Sequence, residues 1–387
     1  MKRAFIIVLD SVGIGAIGDW AEYDIEPGNT ICHVAAAVGG LNMPHLEAMG
    51  LGNIADIKGL APTENPTAKH GKAPLTTKGK DTTAGHWEMM GIILQQAFPT
   101  YPNGFPNDLI EELENAFGSK ILGKKPASGT AVIEEFGREH LKTHAPIVYT
   151  SGDSVVQIAC HEDIYNNEKL YDLCKKARSI CQGKHGVGRV IARPFKGVPG
   201  AFERTKYRKD FSLVPPKPNV LSALQDKKIP VIGVGKINDI FCGENIDISY
   251  GVKGNTLCLD KTLELLKDGK DGFYFVNLVD FDMLYGHRND PVGYAQALED
   301  FDAHVPSILE NLREDDLLII TADHGNDPTT ASTDHNREYV PVLSYICGEK
   351  GGNIGVLKTM SDIGATVYQW LTGENYLQGN SWLNISK

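Results

Sequence analysis

The chain has 387 residues, of which 42% are hydrophobic and 22% are charged, and its formal net charge is −11 at pH 7. This composition is that of an ordinary globular protein of one large or two ordinary domains. The negative charge argues against a nucleic-acid or anionic-membrane partner. The seven cysteines lack C-x-x-C spacing, which predicts reduced thiols and a cytoplasmic location. The first apolar run, residues 4–9, is too short for a signal sequence or a membrane span.

The first predicted strand, Ala4–Leu9, ends at Asp10 and is followed by a glycine-rich stretch. The residues from Gly13 to Gly18 formally match G-x-G-x-x-G, which raises the alternative of an NAD-dependent dehydrogenase. A dinucleotide site needs a helix to begin at those glycines, but the following residues are acidic and lack helical periodicity. Asp10 would also point a negative charge at the phosphates. We therefore interpret this turn as presenting Asp10 at the end of a strand.

Residues 61–80 are rich in Pro, Thr, Lys and Gly, which predicts a surface loop. The loop leads into Asp81-Thr82-Thr83, where a helix that runs through Trp87 is expected to begin. A hydroxyl at such a position is often only a helix cap. It is also a place where a phosphate-accepting nucleophile is stabilised by the helix N-terminus.

Two proline-rich passages, one around Pro99 and one at Pro215–Pro218, enclose a segment with an α+β pattern of its own. Its predicted elements are a helix Asn107–Phe117, a strand Ile147–Thr150, a helix at 170–181 and a strand Arg189–Arg193. We interpret the segment as a cap inserted into a core through two hinges. The predicted domains are therefore core residues 1–97, cap residues 98–216 and core residues 217–387.

After the cap, predicted strands alternate with helices. They are a helix Val220–Leu224, strands Val231–Val234 and Phe273–Leu278, a helix Val292–Leu312, a strand Leu317–Thr321 and a helix Ile363–Leu371. Near-continuous apolar runs such as 273–278 are typical of strands buried on both faces. The predicted fold class is thus α/β, with a mostly parallel sheet, helices on both of its faces and an inserted α+β cap domain.

Acidic and histidine side chains follow three of the predicted core strands. In order they are Asp10, then Asp282 with His287, then Asp323 with His324, and finally His335 on the loop beyond. Such strand ends meet at the ligand-binding edge of open α/β sheets, where three unpaired carboxylates would repel one another and raise their pKa values. Three Asp and three neutral His suit two divalent metal ions. Two such ions leave a net charge of about +1, which attracts phosphate, and paired metals beside a hydroxyl commonly serve phosphoryl transfer.

Four motifs stand out: VLDSVGIGA, KDTTAGHWE, NLVDFDMLYGHRNDP and TADHGNDPTTASTDHNRE. Together they resemble the phosphopentomutase family of the alkaline phosphatase superfamily, and the likeness spans nearly the whole chain. The resemblance implies one metal held by Asp10, Asp323 and His324, with Thr82 nearby. It implies a second metal held by Asp282, His287 and His335. The family's metal is typically manganese, and its phosphorylated threonine matches Thr82, with the adjacent Thr83 as the alternative nucleophile.

The resemblance also assigns contacts with the substrate. Asp153 resembles the family's ribose-contacting carboxylate. Arg189, Arg204 and Lys236 resemble the basic residues that hold the non-reacting phosphate, and guanidinium groups suit phosphate geometry. The competing interpretation of each is a solvated surface charge. Three further histidines have no partner recognisable from the sequence and are interpreted as structural: His86, His161 and His185.

The implied reaction interconverts ribose 1-phosphate and ribose 5-phosphate, with 2-deoxyribose phosphates as further substrates. Phosphorylated Thr82 would donate its phosphoryl group, and a 1,5-bisphosphate would form, turn end for end and return its other phosphate. A sugar bisphosphate would load the threonine at first. The competing interpretations are a phosphatase or sulfatase of the same superfamily, a cofactor-independent phosphoglycerate mutase and a non-catalytic metal-binding protein.

Overall fold

The structure, a computed structural model, describes residues 2–152 and 154–383. Its strands are β1 (Arg3–Leu9), β2 (Lys69–Ala73), β3 (Leu122–Pro126), β4 (Ile147–Thr150), β5 (Val155–His161), β6 (Arg189–Val198), β7 (Ala201–Arg204), β8 (Lys209–Ser212), β9 (Val231–Val234), β10 (Ile248–Tyr250), β11 (Gly272–Leu278), β12 (Asp316–Thr321), β13 (Val340–Ile346) and β14 (Gly352–Val356). Its helices are α1 (Thr30–Val38), α2 (Pro44–Met49), α3 (Thr82–Met89), α4 (Asn107–Phe117), α5 (Gly129–Thr143), α6 (Asn167–Ile180), α7 (Val220–Asp226), α8 (Ile237–Ile240), α9 (Asn255–Asp268), α10 (Pro291–Glu310) and α11 (Ser361–Thr372).

The chain divides into two compact units. The first unit comprises Met1–Gln96 and Pro215–Lys387, and the second unit comprises Ala97–Val214. The second unit is therefore an insertion in the sequence of the first, and its role as a cap stays a prediction. In the part of the chain that the structure describes, no helix has both the length and the apolar character needed to cross a membrane.

The first unit is built on an eight-stranded sheet with the order β10-β9-β11-β1-β12-β13-β2-β14. All its neighbouring pairs are parallel except those that β13 makes with β12 and β2. Strands β1, β11 and β12 are buried along their whole length, as their apolar runs predict. Helices α1, α2 and α9 pack on α10, while α3 and α7 pack on α11, so that helices cover both faces. The predicted α/β class with a mostly parallel sheet is confirmed.

The prediction that residues 61–80 form a surface loop is wrong for the part that forms β2. This strand lies inside the sheet, between β13 and β14. Its sequence, KHGKA, lacks the apolar content that predicts a strand. The segment is extended because β13 and β14 offer hydrogen-bond partners on both of its sides, and its intrinsic strand propensity contributes little. A β-carbon on Gly71 would lie 2.3 Å from the carbonyl oxygen of Gly355 in β14. The absence of a side chain therefore permits the close approach of these two strands.

The second unit contains a six-stranded sheet with the order β3-β4-β5-β6-β7, and β8 also pairs with β6. Alternating residues of β4, β5 and β6 pack into two apolar clusters. One cluster contains residues of α4 and α6, such as Leu113 and Leu170, and the other contains residues of α5, such as Val132. This arrangement gives the unit its own core on either side of one sheet, as expected of an independent α+β insertion.

Candidate metal centre

The ends of three strands that carry candidate metal-binding side chains lie side by side in the first unit. Strand β1 runs between β11 and β12, with Leu9 opposite Leu278 and Val8 opposite Thr321. Asp10 follows β1 directly, and Asp323 follows β12 after one intervening residue. Asp282 lies in a single turn of π-helix beyond β11, a feature that is frequent at functional sites. The parallel register thus brings carboxylates from three distant parts of the sequence to one edge of the sheet.

Asp10, Asp323 and His324 form what we call the inner set, and all three are wholly buried. The Nε2 atom of His324 lies 3.5 Å from Oδ1 of Asp10 and 3.3 Å from Oδ2 of Asp323. Within the described residues, Oδ1 of Asp10 has no hydrogen-bond partner, whereas Oδ2 of Asp323 also lies 3.1 Å from Nδ1 of His86. Buried oxygens without partners are costly unless a cation is bound, so the inner set could hold a metal ion.

Asp282, His287 and His335 form the outer set. The Nε2 atoms of His287 and His335 lie 3.2 Å and 3.3 Å from the two carboxylate oxygens of Asp282. The Nδ1 atom of His287 is 2.7 Å from the carbonyl of Thr333, a contact that orients the ring with Nε2 toward Asp282. These three side chains could bind a second ion.

His324 stands between the two sets. Besides its inner-set contacts, its ring lies within ligand range of Asp282 and His335, and its centroid is 4.0 Å from that of His335. Geometry alone would therefore let His324 serve either ion, whereas the family resemblance assigns it to the first.

Thr82 is buried at the first position of α3, next to the inner set. Its Oγ1 atom lies 3.2 Å from Nε2 of His324. The sequence did not show which residue caps α3. The cap is Asp81, whose carboxylate accepts a hydrogen bond of 3.1 Å from the backbone N–H of Ala84. The Thr82 hydroxyl is therefore not needed as a cap and faces the candidate metal centre instead.

The predicted mutual repulsion raises the pKa of only one of the three carboxylates. Burial, followed by the charges of Asp323 and Asp282, raises the pKa of Asp10 well above its usual value. Burial also opposes the ionisation of Asp323, but His324 and His86 lower its pKa to about 2. For Asp282, burial is outweighed by hydrogen bonds with His287 and His335, which lower its pKa. The histidines thus balance two of the carboxylates, and Asp10 is left with the least compensation.

The structure supplies the partners of His86 that could not be recognised in the sequence. This buried ring places Nδ1 2.9 Å from the carbonyl of Thr82 and 3.1 Å from Oδ2 of Asp323. By contrast, the contacts of His161 and His185 are with groups of the second unit, including Gly197 and Tyr101. Only His86 among these three histidines contacts the candidate site.

Two asparagines that sequence reasoning missed also contact the carboxylates. The side-chain amide of Asn277 donates a 2.8 Å hydrogen bond to Asp10, and that of Asn326 donates a 2.8 Å hydrogen bond to Asp282. The available signal for Asn277 was a lone amide within the apolar strand FYFVNL. Such partners orient metal-binding carboxylates and are a regular part of metal sites.

The predicted substrate residues are distributed over both units. Arg189 begins β6, with a side chain that is 43% exposed and 3.7 Å from Asp210. Arg204 ends β7 and donates a 3.2 Å hydrogen bond to the Tyr149 hydroxyl. Lys236 follows β9 in the first unit, where its charge lowers the pKa of Asp10 against the larger effect of burial. The remaining candidate, Asp153, lies outside the described residues.

Comparison with known proteins agrees with this geometry. A family profile described as "Metalloenzyme superfamily" matches residues 2–374, so the chain belongs to that superfamily. It is 52% identical over 385 residues to a phosphopentomutase of Dictyoglomus turgidum, covering 99% of this chain and 98% of the relative. It is also 52% identical over 386 residues to a phosphopentomutase of Acetivibrio thermocellus, covering 99% of each. The chain is therefore a member of the phosphopentomutase family, and it is an enzyme of the isomerase class.

Solved structures extend the likeness in fold alone. A phosphoglycerate mutase of Leishmania mexicana is 13% identical with a TM-score of 0.53, covering 98% of this chain and 97% of that protein. A protein of Pyrococcus horikoshii is 14% identical with a TM-score of 0.50, covering 97% and 98%. The chain thus shares its overall fold with these two proteins.

Proposed function

We propose that this enzyme interconverts ribose 1-phosphate and ribose 5-phosphate, and their 2-deoxyribose counterparts, through phosphorylated Thr82 and two divalent metal ions. The observation that carries the proposal is the contact of 3.2 Å between the Thr82 hydroxyl and His324, beside the buried carboxylates of Asp10 and Asp323. A cytoplasmic location, with small sugar phosphates rather than nucleic acid or membrane as partners, belongs to the same proposal.

The residues present fit two ions. The inner set would hold one ion through Asp10, Asp323 and His324, and the buried Oδ1 of Asp10, which has no hydrogen-bond partner among the described residues, is suited to a cation. The outer set would hold the other. Mixed oxygen and nitrogen ligands suit Mn²⁺, which is the metal we propose. When bound, the ions would lower the pKa of an attacking hydroxyl and neutralise charge on the phosphoryl group during its transfer.

Thr82 would carry the transferred phosphoryl group. In the forward step, a hydroxyl of the sugar monophosphate attacks the phosphorus on Thr82, and in the net exchange its proton passes to Oγ1 of Thr82. The bond from phosphorus to Oγ1 breaks, and a sugar 1,5-bisphosphate forms. After the bisphosphate has turned end for end, Oγ1 accepts the other phosphoryl group and the isomeric monophosphate leaves. A sugar bisphosphate would phosphorylate Thr82 for the first cycle, and the N-terminus of α3 favours the negative charge there.

The remaining proposed roles concern binding of the substrate. Arg189, Arg204 and Lys236 would hold the phosphate that does not react, and Asp153 would contact the ribose. The second unit would act as a cap that keeps water from phosphorylated Thr82 while the sugar hydroxyl is held at near-attack distance. Binding energy from the remote phosphate would keep the cap closed during transfer. This requirement separates a mutase from a phosphatase, in which water is the acceptor.

The experiment that tests the proposal measures two products at once. Arg189→Ala and Arg204→Ala should each slow isomerisation by about tenfold or more and raise the ratio of free phosphate to isomerised product. Arg138→Ala is a matched control, because Arg138 is an exposed arginine of α5 in the same unit. If both arginine variants lose hydrolysis and isomerisation in equal proportion, the second unit does not select the acceptor and the mutase mechanism fails.

A further inference from the structure

The glycine-rich stretch after β1 has a different role from the dinucleotide site considered above. No α-helix opens at these glycines in the described structure, because they are followed by a single 3-10 turn at Trp20–Glu22 and α1 begins only at Thr30. Gly13 and Gly15 instead lie against Glu338, a wholly buried carboxylate three positions beyond His335. A β-carbon on Gly13 would lie 2.3 Å from Oε2 of Glu338, where nothing can fit.

Two more glycines close around the same carboxylate. A β-carbon on Gly28 would lie 2.5 Å from Oε1 of Glu338, and one on Gly325 would lie 2.3 Å from the same atom. Gly28 precedes α1, and Gly325 directly follows the inner-set ligand His324. Backbone from three separate segments therefore approaches Glu338 so closely that no side chain could be accommodated at these positions.

Three donors satisfy the Glu338 carboxylate. The backbone N–H groups of Thr30 and Gly15 donate to Oε2 at 2.9 Å and 3.2 Å, and the Thr30 hydroxyl donates to Oε1 at 2.7 Å. Gly15 adopts a φ of +100°, which glycine reaches without strain and which turns its N–H toward the carboxylate. Burial raises the pKa of Glu338 to about 8, and these hydrogen bonds, together with the N-terminus of α1 at Thr30, oppose that rise and favour the charged form.

A hydrogen-bond relay connects Glu338 to the outer set. A hydroxyl has one hydrogen, and Thr30 gives its hydrogen to Glu338, so its lone pairs are left to accept. The backbone N–H of Asn326 donates to this hydroxyl at 3.1 Å. The side chain of Asn326 in turn donates to Asp282 at 2.8 Å. Glu338 thus fixes the Thr30 hydroxyl as an acceptor for the backbone of Asn326, and this contact positions the residue whose side chain reaches Asp282.

We propose that Glu338 is a positioning residue of the metal centre, which locks together the loops that follow Asp10, His324 and His335 and orients Asp282 through Thr30 and Asn326. The inference rests on the two-metal centre proposed above. It predicts that changes at this buried carboxylate, which lies in neither ligand set, weaken metal binding. A carboxylate with a purely structural role would affect only the stability of the fold.

The first test is Glu338→Gln in the full chain, stripped of metal and titrated with Mn²⁺. The amide has the same shape but replaces one oxygen by an NH₂ group. In one orientation this group faces the backbone N–H donors of Thr30 and Gly15, and in the other it forces the Thr30 hydroxyl to accept instead of donate. We expect two ions for the wild-type chain and an affinity roughly ten- to a hundredfold lower for at least one of them in the variant. Unchanged Mn²⁺ affinity together with a lower melting temperature of the metal-free chain would overturn the inference.

A second pair of variants keeps the test decisive if Glu338→Gln does not fold. Thr30→Val preserves the shape of the side chain but removes the hydroxyl, whereas Thr30→Ser keeps it. We expect Val to weaken Mn²⁺ binding by about tenfold and Ser to bind within about twofold of the wild-type chain. Equal affinities for the two variants would show that the relay does not act on the ligands.

The third test measures the coupling between the glycines and the carboxylate. Gly13→Ala should weaken Mn²⁺ binding in the wild-type background and should have a smaller effect in a Glu338→Ala background, where the contacts with Oε2 and Cδ are removed and that with Cβ, at 2.8 Å, remains. Gly18→Ala, in the same motif, is the control, because a β-carbon there would meet nothing within 4 Å. Additive effects would contradict the close packing on which the inference rests. If the wild-type chain itself bound no Mn²⁺, the proposed function would fail first and separately.

Discussion

The inner and outer ligand sets occupy neighbouring strand ends but differ in both charge and exposure. The inner set has two carboxylates and one imidazole, and every member is wholly buried. The outer set has one carboxylate and two imidazoles, and the side chains of His287 and His335 are 33% and 14% exposed. With neutral histidines the formal charges are −2 and −1.

The two sets therefore stabilise their buried carboxylates at the sheet edge in different ways. The outer carboxylate is compensated by the two histidines that face it, even without a metal ion. The inner set has one histidine between two buried carboxylates, so the pKa of Asp10 rises as burial disfavours its charge. The inner ion should therefore be bound tightly as part of the site, whereas the outer ion should exchange with solvent.

The largest effect is expected for the hydroxyl that contacts the inner set. Thr82→Ala should reduce isomerisation by at least about a thousandfold, because it removes the phosphoryl carrier. Both ions should still bind, since the hydroxyl is not among either set of ligands. Mass spectrometry after treatment with a sugar bisphosphate should find phosphate on Thr82. Thr83→Ala is the matched control and should keep most activity; phosphate on Thr83 instead would move the nucleophile by one residue.

The next largest effect compares the same substitution in the two sets. Asp323→Asn should weaken one Mn²⁺ by roughly a hundredfold and abolish turnover, because it removes a charged ligand from a wholly buried set, where water cannot readily replace it. Asp282→Asn should weaken the other ion less, because two histidines remain. Calorimetric titration of the metal-free variants measures both. A larger loss of Mn²⁺ affinity for Asp282→Asn than for Asp323→Asn would contradict the expected tighter binding by the inner set.

The smallest effect concerns the rate at which each ion leaves. Upon addition of a chelator, one Mn²⁺ should dissociate several-fold faster than the other, because the outer histidines are partly open to water. Electron paramagnetic resonance of the released Mn²⁺ would measure the time course of dissociation. Mn²⁺ should also restore activity better than Ca²⁺, which prefers more oxygen ligands and no imidazole. Release of both ions in a single phase would remove the distinction between the sets.

The sequence predicted those parts of the fold that are locally encoded. Strands β1, β11 and β12 are apolar runs long enough to be read directly, and their polar ends marked the edge at which the carboxylates meet. Strand β2 could not be predicted in this way, because its polar sequence is held in the sheet by β13 and β14. Its position depends on partners that arrive more than two hundred positions later.

The same limit applies to the candidate site. Candidate ligand residues could be proposed because they follow strands, and the resemblance supplied their proposed grouping. The contact between Thr82 and His324 joins residues 242 positions apart, and His86 is recognisable only once that contact has formed. Asn277 was overlooked since a single amide does not interrupt an apolar strand. Contacts that orient the ligands therefore become visible only in three dimensions.

The central place of β1 in the sheet has a consequence for biosynthesis. Its two neighbours, β11 and β12, begin at Gly272 and Asp316, so they are translated long after it. At about 5–20 residues per second, the hydrophobic segment Ala4–Leu9 waits for roughly 15–50 s without a partner on either side. The charges of Lys2, Arg3 and Asp10 that flank it are the kind that suppress aggregation of nascent chains. Ribosome-arrested chains that stop before Gly272 should therefore expose this segment to protease or to a chaperone, and longer chains should bury it.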